Sequence, residues 1–254
     1  MFKKNKSKEL KRKNNFNKIY AEETKNFQLK YINSWGDSWN IHSLSTIHRE
    51  SISRLLYYNE LYKKIVGVPG FILEFGVQWG ATLAQLISLR GIYEPYNHRR
   101  HIYGFDTFEG LVNTNKLKDG EYLSDGDYTV YKNFEVELED LLTLHEKNCP
   151  ISQIKKFTLI KGDVSKTVKQ FIKKTPHTII AMAIFDMDIY KPTKDALLAI
   201  KSKLIKGSVL VFDELNCHEF PGETEAVNEI LGLNNLKLCH DPNQPSRAWT
   251  IWGE

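Results

Sequence analysis

The segment 70–89 constrains the fold more than any other, because it joins a short apolar run to a helix through two glycines. It reads Gly-Phe-Ile-Leu-Glu-Phe-Gly-Val-Gln-Trp-Gly, followed by Ala-Thr-Leu-Ala-Gln-Leu-Ile-Ser-Leu. Residues 71–75 have the length and residue types of a buried strand, and residues 81–89 those of an apolar helix. A strand that turns through glycines into a helix lets a ligand approach the backbone N–H groups. The segment therefore predicts a βα ligand turn, with an ordinary tight turn of a doubly wound domain as the alternative.

The acidic residue of this turn indicates the kind of ligand. Glu74 lies two residues before Gly76 in the pattern Glu-x-Gly-x-x-x-Gly. A carboxylate there is poorly placed for a pyrophosphate but well placed for the ammonium or hydroxyl groups of S-adenosylmethionine. We therefore predict cofactor contacts at Glu74, Gly76, Val77 and Gly80.

Strand and helix patterns alternate along the rest of the chain. Further strands are predicted at 101–105, 157–160, 178–185 and 208–212, and helices at 49–66, 164–173, 194–204 and 224–231. This alternation predicts a doubly wound α/β fold with a mostly parallel sheet. Residues 236–240 and 248–252 also look like strands, and the loop between them is too short for a helical crossover. The sheet should therefore have seven strands, with the last strand antiparallel.

The chain divides into three predicted parts. Residues 1–26 form a basic arm, expected to be flexible, with eight Lys and Arg residues against one acid in the first 18. Residues 27–69 are rich in aromatic residues and predict a helical extension, and residues 70–254 form the main domain. Within that domain, residues 109–153 form an insertion after the second strand, either a lid over the ligand or a surface excursion.

Composition excludes several classes of protein. The net charge of +4 is concentrated in the arm, so the folded body has no strong electrostatic attraction to nucleic acid. No apolar run is long enough to span a bilayer, which predicts a cytoplasmic protein without membrane insertion. The three cysteines lack C-x-x-C spacing, which argues against a disulfide framework or a zinc site.

Acids follow the second and third predicted strands, where ligands of open α/β sheets bind. Asp106 ends the second strand, where a carboxylate can accept the hydroxyls of an adenosine ribose, and Thr107 and Phe108 follow it. Asp163 and Val164 follow the third, where a side chain and a backbone N–H can meet an adenine edge. We predict cofactor contacts at all five, although a single Asp after a strand is often a helix cap.

Four more carboxylates follow the fourth and fifth strands, at Asp186, Asp188, Asp213 and Glu214. Such crowding of negative charge is costly without a cation or bound protons. Oxygen ligands without His or Cys favour Mg²⁺ or a similar hard ion. We predict Asp188, Asp213 and Glu214 as metal ligands and Asp186 as a residue that orients cofactor or substrate. Capping of the following helices is the alternative role.

Together these motifs resemble the macrocin O-methyltransferase family from about Arg49 to the C-terminus. The matching segments are Leu-Glu-Phe-Gly-Val-Gln-Trp-Gly-Ala-Thr, Tyr-Gly-Phe-Asp-Thr-Phe-Glu-Gly-Leu, Gly-Asp-Val, Phe-Asp-Met-Asp-Ile-Tyr-Lys-Pro-Thr and Phe-Asp-Glu. The resemblance implies a class I, Rossmann-like methyltransferase fold that uses S-adenosylmethionine for Mg²⁺-dependent methylation of a sugar hydroxyl. It implies cofactor positions at Glu74, Gly76, Asp106 and Asp163, and metal positions at Asp188, Asp213 and Glu214. One departure is Asp213-Glu214-Leu215, where the family usually has Asp-Asp-Tyr.

A base must remove the proton of the acceptor hydroxyl. His218, just after the fifth strand, is the first candidate because a neutral imidazole is available near pH 7. Asp188 is also predicted to be catalytic, and His42 and His48 are remoter alternatives.

The acceptor is predicted to be a sugar or nucleotide-sugar. Arg99 and Arg100 should lie near the cofactor edge, where they could bind a diphosphate or remain solvated. A lipid-linked glycan, a secondary metabolite or another phosphorylated acceptor also fits. A homo-oligomer is expected.

Three other classes of protein compete with a sugar methyltransferase. An NAD(P)-dependent oxidoreductase needs a third glycine where Thr82 and Leu83 stand. A nucleic-acid methyltransferase lacks its Asn/Asp-Pro-Pro-Tyr/Phe signature here. A non-catalytic scaffold would leave the acids at the strand ends unexplained.

Overall fold

A computed structural model describes residues 15–254, with side chains from residue 18 onward. The chain forms two compact units, one ending at Leu56 and the other beginning at Tyr57, whereas the sequence placed the boundary at residue 70. Helix α1 (Asn15–Tyr31) begins inside the predicted flexible arm, so residues 15–26 are helical. The prediction for residues 1–14 lies outside the described part.

The first unit is helical, as predicted for the extension. It contains α1, two 3-10 segments (Ile32–Ser38 and Ser43–Thr46), α2 (Trp39–His42) and the start of α3 (Arg49–Ile65). Within it, Thr24 Oγ1 lies 2.6 Å from Nε2 of His48. Across residues 15–254, none of the helices is both long and apolar enough to cross a membrane.

The second unit contains a seven-stranded sheet in the order β3-β2-β1-β4-β5-β7-β6. The strands are β1 (Phe71–Phe75), β2 (Ile102–Asp106), β3 (Phe157–Lys161), β4 (Ile180–Phe185), β5 (Leu204–Phe212), β6 (Cys239–Asp241) and β7 (Gln244–Ile251). The first five are parallel, and β7 runs antiparallel to both β5 and β6. The predicted doubly wound sheet with its antiparallel end is confirmed.

The remaining helices follow the predicted order with shifted bounds, and at one boundary a predicted helix end is a strand. They are α4 (Ala81–Tyr93), α5 (Lys116–Asp119), α6 (Phe134–Lys147), α7 (Val164–Lys174), α8 (Tyr190–Ile200) and α9 (Gly222–Leu231). Helix α8 ends at Ile200, before the predicted end at residue 204. Leu204 instead pairs with Ile180 and starts β5, so Gly207 lies inside a strand and does not close a helix. The apolar residues around the boundary fit either periodicity, and strand pairing decides between them.

Two apolar layers flank the sheet because alternate strand residues face opposite sides. Ile72 packs with residues of α3, α4 and α6, while its neighbour Leu73 packs with residues of α7, α8 and α9. All five buried apolar residues of α3 come from its second half, from Tyr57 to Ile65. This layering leaves the carboxyl ends of the strands as the open edge of the sheet.

Four phenylalanines near the carboxyl ends of adjacent strands lie side by side just before that edge, and we call them the phenylalanine ladder. Phe75 pairs with Phe105 and Phe185, and Phe185 pairs with Phe212. The ring centroids of these pairs are 5.0, 5.3 and 5.3 Å apart, within the favourable range for aromatic contacts. All four rings are fully buried. The residues that follow them, a glycine and three aspartates, are therefore held side by side.

Candidate active site

The turn after β1 passes close to the end of β4. Gly76 has a φ of +92°, and a Cβ there would lie 1.8 Å from the backbone oxygen of Asp186. Gly80 has a φ of +79°, and a Cβ there would lie 2.3 Å from Leu138 Cδ1. Gly76 therefore requires glycine because its clash is with backbone, and Gly80 favours glycine because of its positive φ.

Asp106 shapes this turn directly. Its Oδ2 accepts the N–H groups of Val77 and Gln78 at 2.7 and 2.8 Å, and its Oδ1 accepts that of Phe108 at 2.6 Å. A carboxylate has about four lone-pair sites, so a ribose hydroxyl would have to use what these three bonds leave. The structure thus adds a scaffolding role, and ribose binding stays a prediction.

Three of the other predicted cofactor residues have buried apolar side chains. Val77, Phe108 and Val164 are at most 5% exposed. Their cofactor contacts stay predictions. The Thr107 hydroxyl donates to the Gly110 carbonyl at 2.7 Å, which shapes the loop after β2.

Of the other two predicted cofactor acids, one is buried within a strand and one caps a helix. Glu74 is 1% exposed at the penultimate position of β1. Asp163 caps α7, because its Oδ1 accepts the Ser165 N–H at 2.9 Å. The cap role weighed for Asp163 is therefore present, and both cofactor roles stay predictions.

The acids predicted at the ends of β4 and β5 come together as one feature, which we call the acid edge: Asp186, Asp188, Asp213 and Glu214. The Asp186 N–H donates to the Phe75 carbonyl at 2.8 Å, and the Asp213 N–H donates to the Phe185 carbonyl at 3.0 Å. These bonds continue the parallel ladder past the last strand residues. The Phe–Asp dipeptides are therefore brought into register, as the sequence predicted.

Asp188 is a perturbed member of the acid edge in both backbone and charge. Its backbone has a φ of +60°, a strained conformation for a residue other than glycine. Burial raises the pKa of its carboxyl well above the ordinary value, and the charges of Asp186, Asp213 and Glu214 raise it further. A hydrogen bond with the Tyr128 side chain opposes this shift. Perturbed carboxyls of this kind mark functional sites.

Sequence reasoning missed two groups behind the acid edge. Arg247, on β7, forms an ion pair with Asp213, and both side chains are nearly buried. Burial lowers the pKa of Arg247, but the acidic groups around it, Asp213 first among them, together outweigh this effect and leave the pKa raised. No linear motif connects these residues, and only the β5–β7 pairing brings them together.

Glu223 is the second missed group. It is fully buried at the start of α9, and its Oε1 accepts the Glu214 N–H at 3.2 Å. Its Oε2 is buried without a hydrogen-bond partner among residues 18–254. Burial raises the pKa of Glu223 well above its ordinary value, and the acid edge raises it further.

The acid edge fits a hard divalent cation in chemistry, since all its donors are carboxylate oxygens that repel one another. Its arrangement is less complete. Among the described residues, no three His, Cys, Asp or Glu side chains are grouped so that they could hold a metal ion. A cation would therefore require the side chains of the predicted ligands to turn toward one another.

The insertion reaches the site from the other side. Tyr128, with a φ of +63°, accepts a bond from Gln78 Nε2 at 3.5 Å through its carbonyl. Trp79 of the glycine turn packs edge-on against Tyr131 and Phe134, with centroids 5.6 and 4.9 Å apart. The insertion is thus packed against the glycine turn.

The structure corrects the interpretation of Arg100. Its guanidinium is buried and bonds to Glu94, to the Gly70 carbonyl at 2.7 Å and to the Ile65 carbonyl at 2.9 Å. Arg100 precedes β2, so it lies at the amino end of the sheet, away from the acid edge. It cannot bind a diphosphate at the cofactor edge as suggested, because its donors serve the core. Arg99 is exposed.

The candidate bases differ in environment. His218 is exposed in the loop after β5. His42 and His48 belong to the first unit, where the His48 ring is bonded to Thr24. Burial raises the pKa of Cys217, next to His218, to about 11 with help from the Glu214 charge, so this thiol is not a reactive thiolate.

A sheet of this order, with a glycine turn after β1 and acids at its carboxyl edge, defines the Rossmann-like fold of class I methyltransferases. Comparison with known proteins narrows the class. The sequence matches the macrocin-O-methyltransferase (TylF) family over residues 3–237, and the chain belongs to this family. It is therefore an S-adenosylmethionine-dependent O-methyltransferase.

Solved structures agree with this assignment. The crystal structure of CalS11, a calicheamicin methyltransferase, is 33% identical with a TM-score of 0.88, and the match covers 95% of each chain. An apo structure of CalS11, described as a TDP-rhamnose 3'-O-methyltransferase, is 32% identical with a TM-score of 0.82 and coverage of 95% and 96%. The O-methyltransferase NovP, at 18% identity, 79% coverage of each chain and a TM-score of 0.56, shares the fold. A sequence search against curated proteins finds no match.

Proposed function

We propose that this enzyme methylates a hydroxyl of a sugar carried on a nucleoside diphosphate, with S-adenosylmethionine as donor. The observation that carries the proposal is the acid edge, held by the phenylalanine ladder directly beside the glycine turn. Similarity to CalS11 over 95% of both chains supports a nucleotide-sugar acceptor. The negative charge of the acid edge also favours a cationic sulfonium cofactor.

The reaction needs a positioned nucleophile and a base. The acceptor oxygen forms a bond to the methyl carbon, the carbon–sulfur bond breaks, and S-adenosylhomocysteine leaves with the electron pair. The hydroxyl proton passes to a base. The candidates for this base are Asp188, at the acid edge, and His218, which is exposed in the loop after β5.

Mg²⁺ belongs to this proposal as a cofactor. Asp188, Asp213 and Glu214 would hold it, and the extra methylene of Glu214 still allows a hard cation to bind. When bound, the ion would orient the acceptor oxygens and lower the pKa of the hydroxyl. Arg247 pairs with only one of these carboxylates, Asp213, and the negative charge of the others supports this assignment.

The first test is calorimetric titration with S-adenosylhomocysteine, with NAD as comparator, in Mg²⁺ and in chelator. We expect S-adenosylhomocysteine alone to bind. NAD binding would instead favour an oxidoreductase, and binding of neither ligand to folded protein would favour a scaffold.

The second test is methyl transfer to TDP-rhamnose, measured by mass, against free rhamnose as control. We expect transfer to the nucleotide-sugar in Mg²⁺ and its loss in chelator. Equal transfer to free rhamnose would contradict the nucleotide requirement, and full activity in chelator would contradict the metal role. Asp188→Asn removes a proposed metal ligand and a proposed base together, so we expect it to abolish turnover. His218→Gln tests the imidazole alone, and turnover close to that of the wild type would exclude His218 as the base.

The proposal includes a homo-oligomer that does not bind nucleic acid. Analytical ultracentrifugation would measure the oligomeric state, and a filter-binding assay with RNA would test the basic arm.

A further inference from the structure

Helix α8 is capped by a residue from the insertion. The residue before the helix is Ile189, whose apolar side chain cannot accept a capping hydrogen bond. Instead, Oδ1 of Asp119 accepts the N–H of Tyr190, the first helical residue, at 2.6 Å. The first N–H groups of a helix need such acceptors because no residue within the helix can serve them. Asp119 thereby joins the insertion to the start of α8.

This junction is buried and closely packed. Asp119 is 1% exposed, and its Oδ2 accepts the Asn115 N–H at 2.7 Å. A Cβ on Gly222, at the start of α9, would lie 2.4 Å from Asp119 Oδ1. A Cβ on Gly120 would lie 2.8 Å from the carbonyl oxygen of Glu219. The carboxylate therefore occupies a fixed place between the starts of α8 and α9.

The junction lies two residues from the strained member of the acid edge. Asp188 keeps its φ of +60° between Met187 and Ile189, which are both buried. The N–H of Ile189 donates to the Met187 carbonyl at 2.7 Å, which closes a tight turn around Asp188. A strained conformation of this kind persists only where its surroundings hold it. The bond from Asp119 supplies such a hold immediately after the turn, and Tyr128 contacts Asp188 from the same insertion.

We propose that Asp119 is a positioning residue, which holds the turn of Asp188 by capping α8 from the insertion. Residues 115–120 are then a fixed wall of the active site and not part of a lid that swings open. The catalytic consequence rests on the proposed methyl transfer, whereas the hold on the turn does not.

The first experiment is hydrogen–deuterium exchange on the full chain, read at peptides covering residues 186–193. In Asp119→Ala we expect the Tyr190 amide and its neighbours to exchange about tenfold faster or more, because the acceptor is gone. The matched control is Asp125→Ala. Asp125 lies in the same insertion and accepts two bonds from Thr114, but it is exposed and bonds within the insertion. Unchanged exchange at 186–193 in Asp119→Ala would overturn the proposal, whatever the activity.

The second experiment separates positioning from folding. Asp119→Ala should lower kcat about ten- to a hundredfold, as misplaced catalytic groups do, while KM for S-adenosylmethionine changes less than about twofold. Asp119→Asn keeps an oxygen for the Tyr190 N–H, so it should restore most of the protection and of kcat. Lost protection with full kcat would show a helix cap without a positioning role and would overturn the proposal.

The two hypotheses fail differently. A wild-type protein that neither binds S-adenosylhomocysteine nor transfers methyl groups contradicts the proposed function. The exchange data from Asp119→Ala would still decide whether the insertion holds the turn.

Discussion

Replacing Asp188 by asparagine should stabilise the protein while it abolishes the reaction. The side chain keeps its shape, and asparagine tolerates the positive φ of this position as well as aspartate does. What disappears is the ability to carry a negative charge that Asp186, Asp213 and Glu214 repel. The prediction therefore isolates the electrostatic cost of the acid edge from its packing.

The magnitude follows from sheet geometry and proton uptake. Neighbouring strands are about 4.8 Å apart, which places carboxylates on adjacent ends about 6 Å apart. At an effective dielectric constant of about 20, one such pair costs about 3 kcal/mol before salt screening. Proton uptake caps the cost at pH 7 at about 4 kcal/mol, because that pH is about three units above the ordinary Asp pKa. The Arg247 charge offsets part of it, so we expect a gain of about 2 kcal/mol, or about 4–8 °C in Tm.

The direction of the pKa shift determines how the stability of the protein changes with pH. The pKa of folded Asp188 is raised, so the folded chain holds a proton that the unfolded chain releases above about pH 4. The wild type therefore loses stability as the pH rises towards the raised pKa, and Asp188→Asn does not. Calorimetric scans in chelator should show a difference in Tm that widens from pH 5 to pH 8.

The control is Asp125→Asn, at an exposed carboxylate of the insertion. Hydrogen bonds from Thr114 lower the pKa of Asp125, so this variant should lose stability at neutral pH. An Asp188→Asn protein no more stable than wild type at pH 8 would refute the reasoning. Mg²⁺ should raise the Tm of the wild type and leave that of the variant nearly unchanged, because ligand binding stabilises the folded state that binds it.

Three further substitutions test the frame around the acid edge. Arg100→Met should lower the free energy of unfolding by about 3–5 kcal/mol in urea titrations, because Glu94 is left charged in the core; a loss under about 1 kcal/mol would contradict this. Gly76→Ala should destabilise the protein far more than Gly126→Ala, since both have positive φ but only the first Cβ meets another atom; equal Tm values would contradict the clash. Asp106→Ala should abolish binding of S-adenosylhomocysteine in calorimetry, because the glycine turn loses the acceptor of its N–H groups; retained affinity would show that the turn holds itself.

The parts of the site predictable from sequence are those encoded within single βα units. A strand end followed by its acid is a local pattern, and parallel pairing brings such patterns into line. The dipeptides ending at Asp186 and Asp213 were predicted as neighbours for this reason. The sequence also contains the reason for their alignment, because a phenylalanine precedes each acid and the rings of Phe185 and Phe212 stack.

The missed contacts are those between residues far apart in the chain. Arg247 reaches Asp213 only because β7 returns beside β5, and Asp119 reaches α8 across 71 residues. Glu223 reads as one of several acids in an amphipathic helix until its burial is known. Arg100 was misplaced because a charged loop residue reads as exposed, whereas this one bonds to Glu94 inside the core.

The buried phenylalanine ladder holds the acid edge in place. The ladder runs from Phe105 through Phe75 and Phe185 to Phe212, and each buried ring contributes about 1.5–3 kcal/mol of apolar burial. The residues that follow must then stand side by side, although their charges repel. The burial of the phenylalanines therefore offsets the repulsion between the charged residues that directly follow them in the chain. The strained Asp188 and the buried Glu223 lie at this charged edge, where a cationic cofactor and a metal ion would relieve the repulsion.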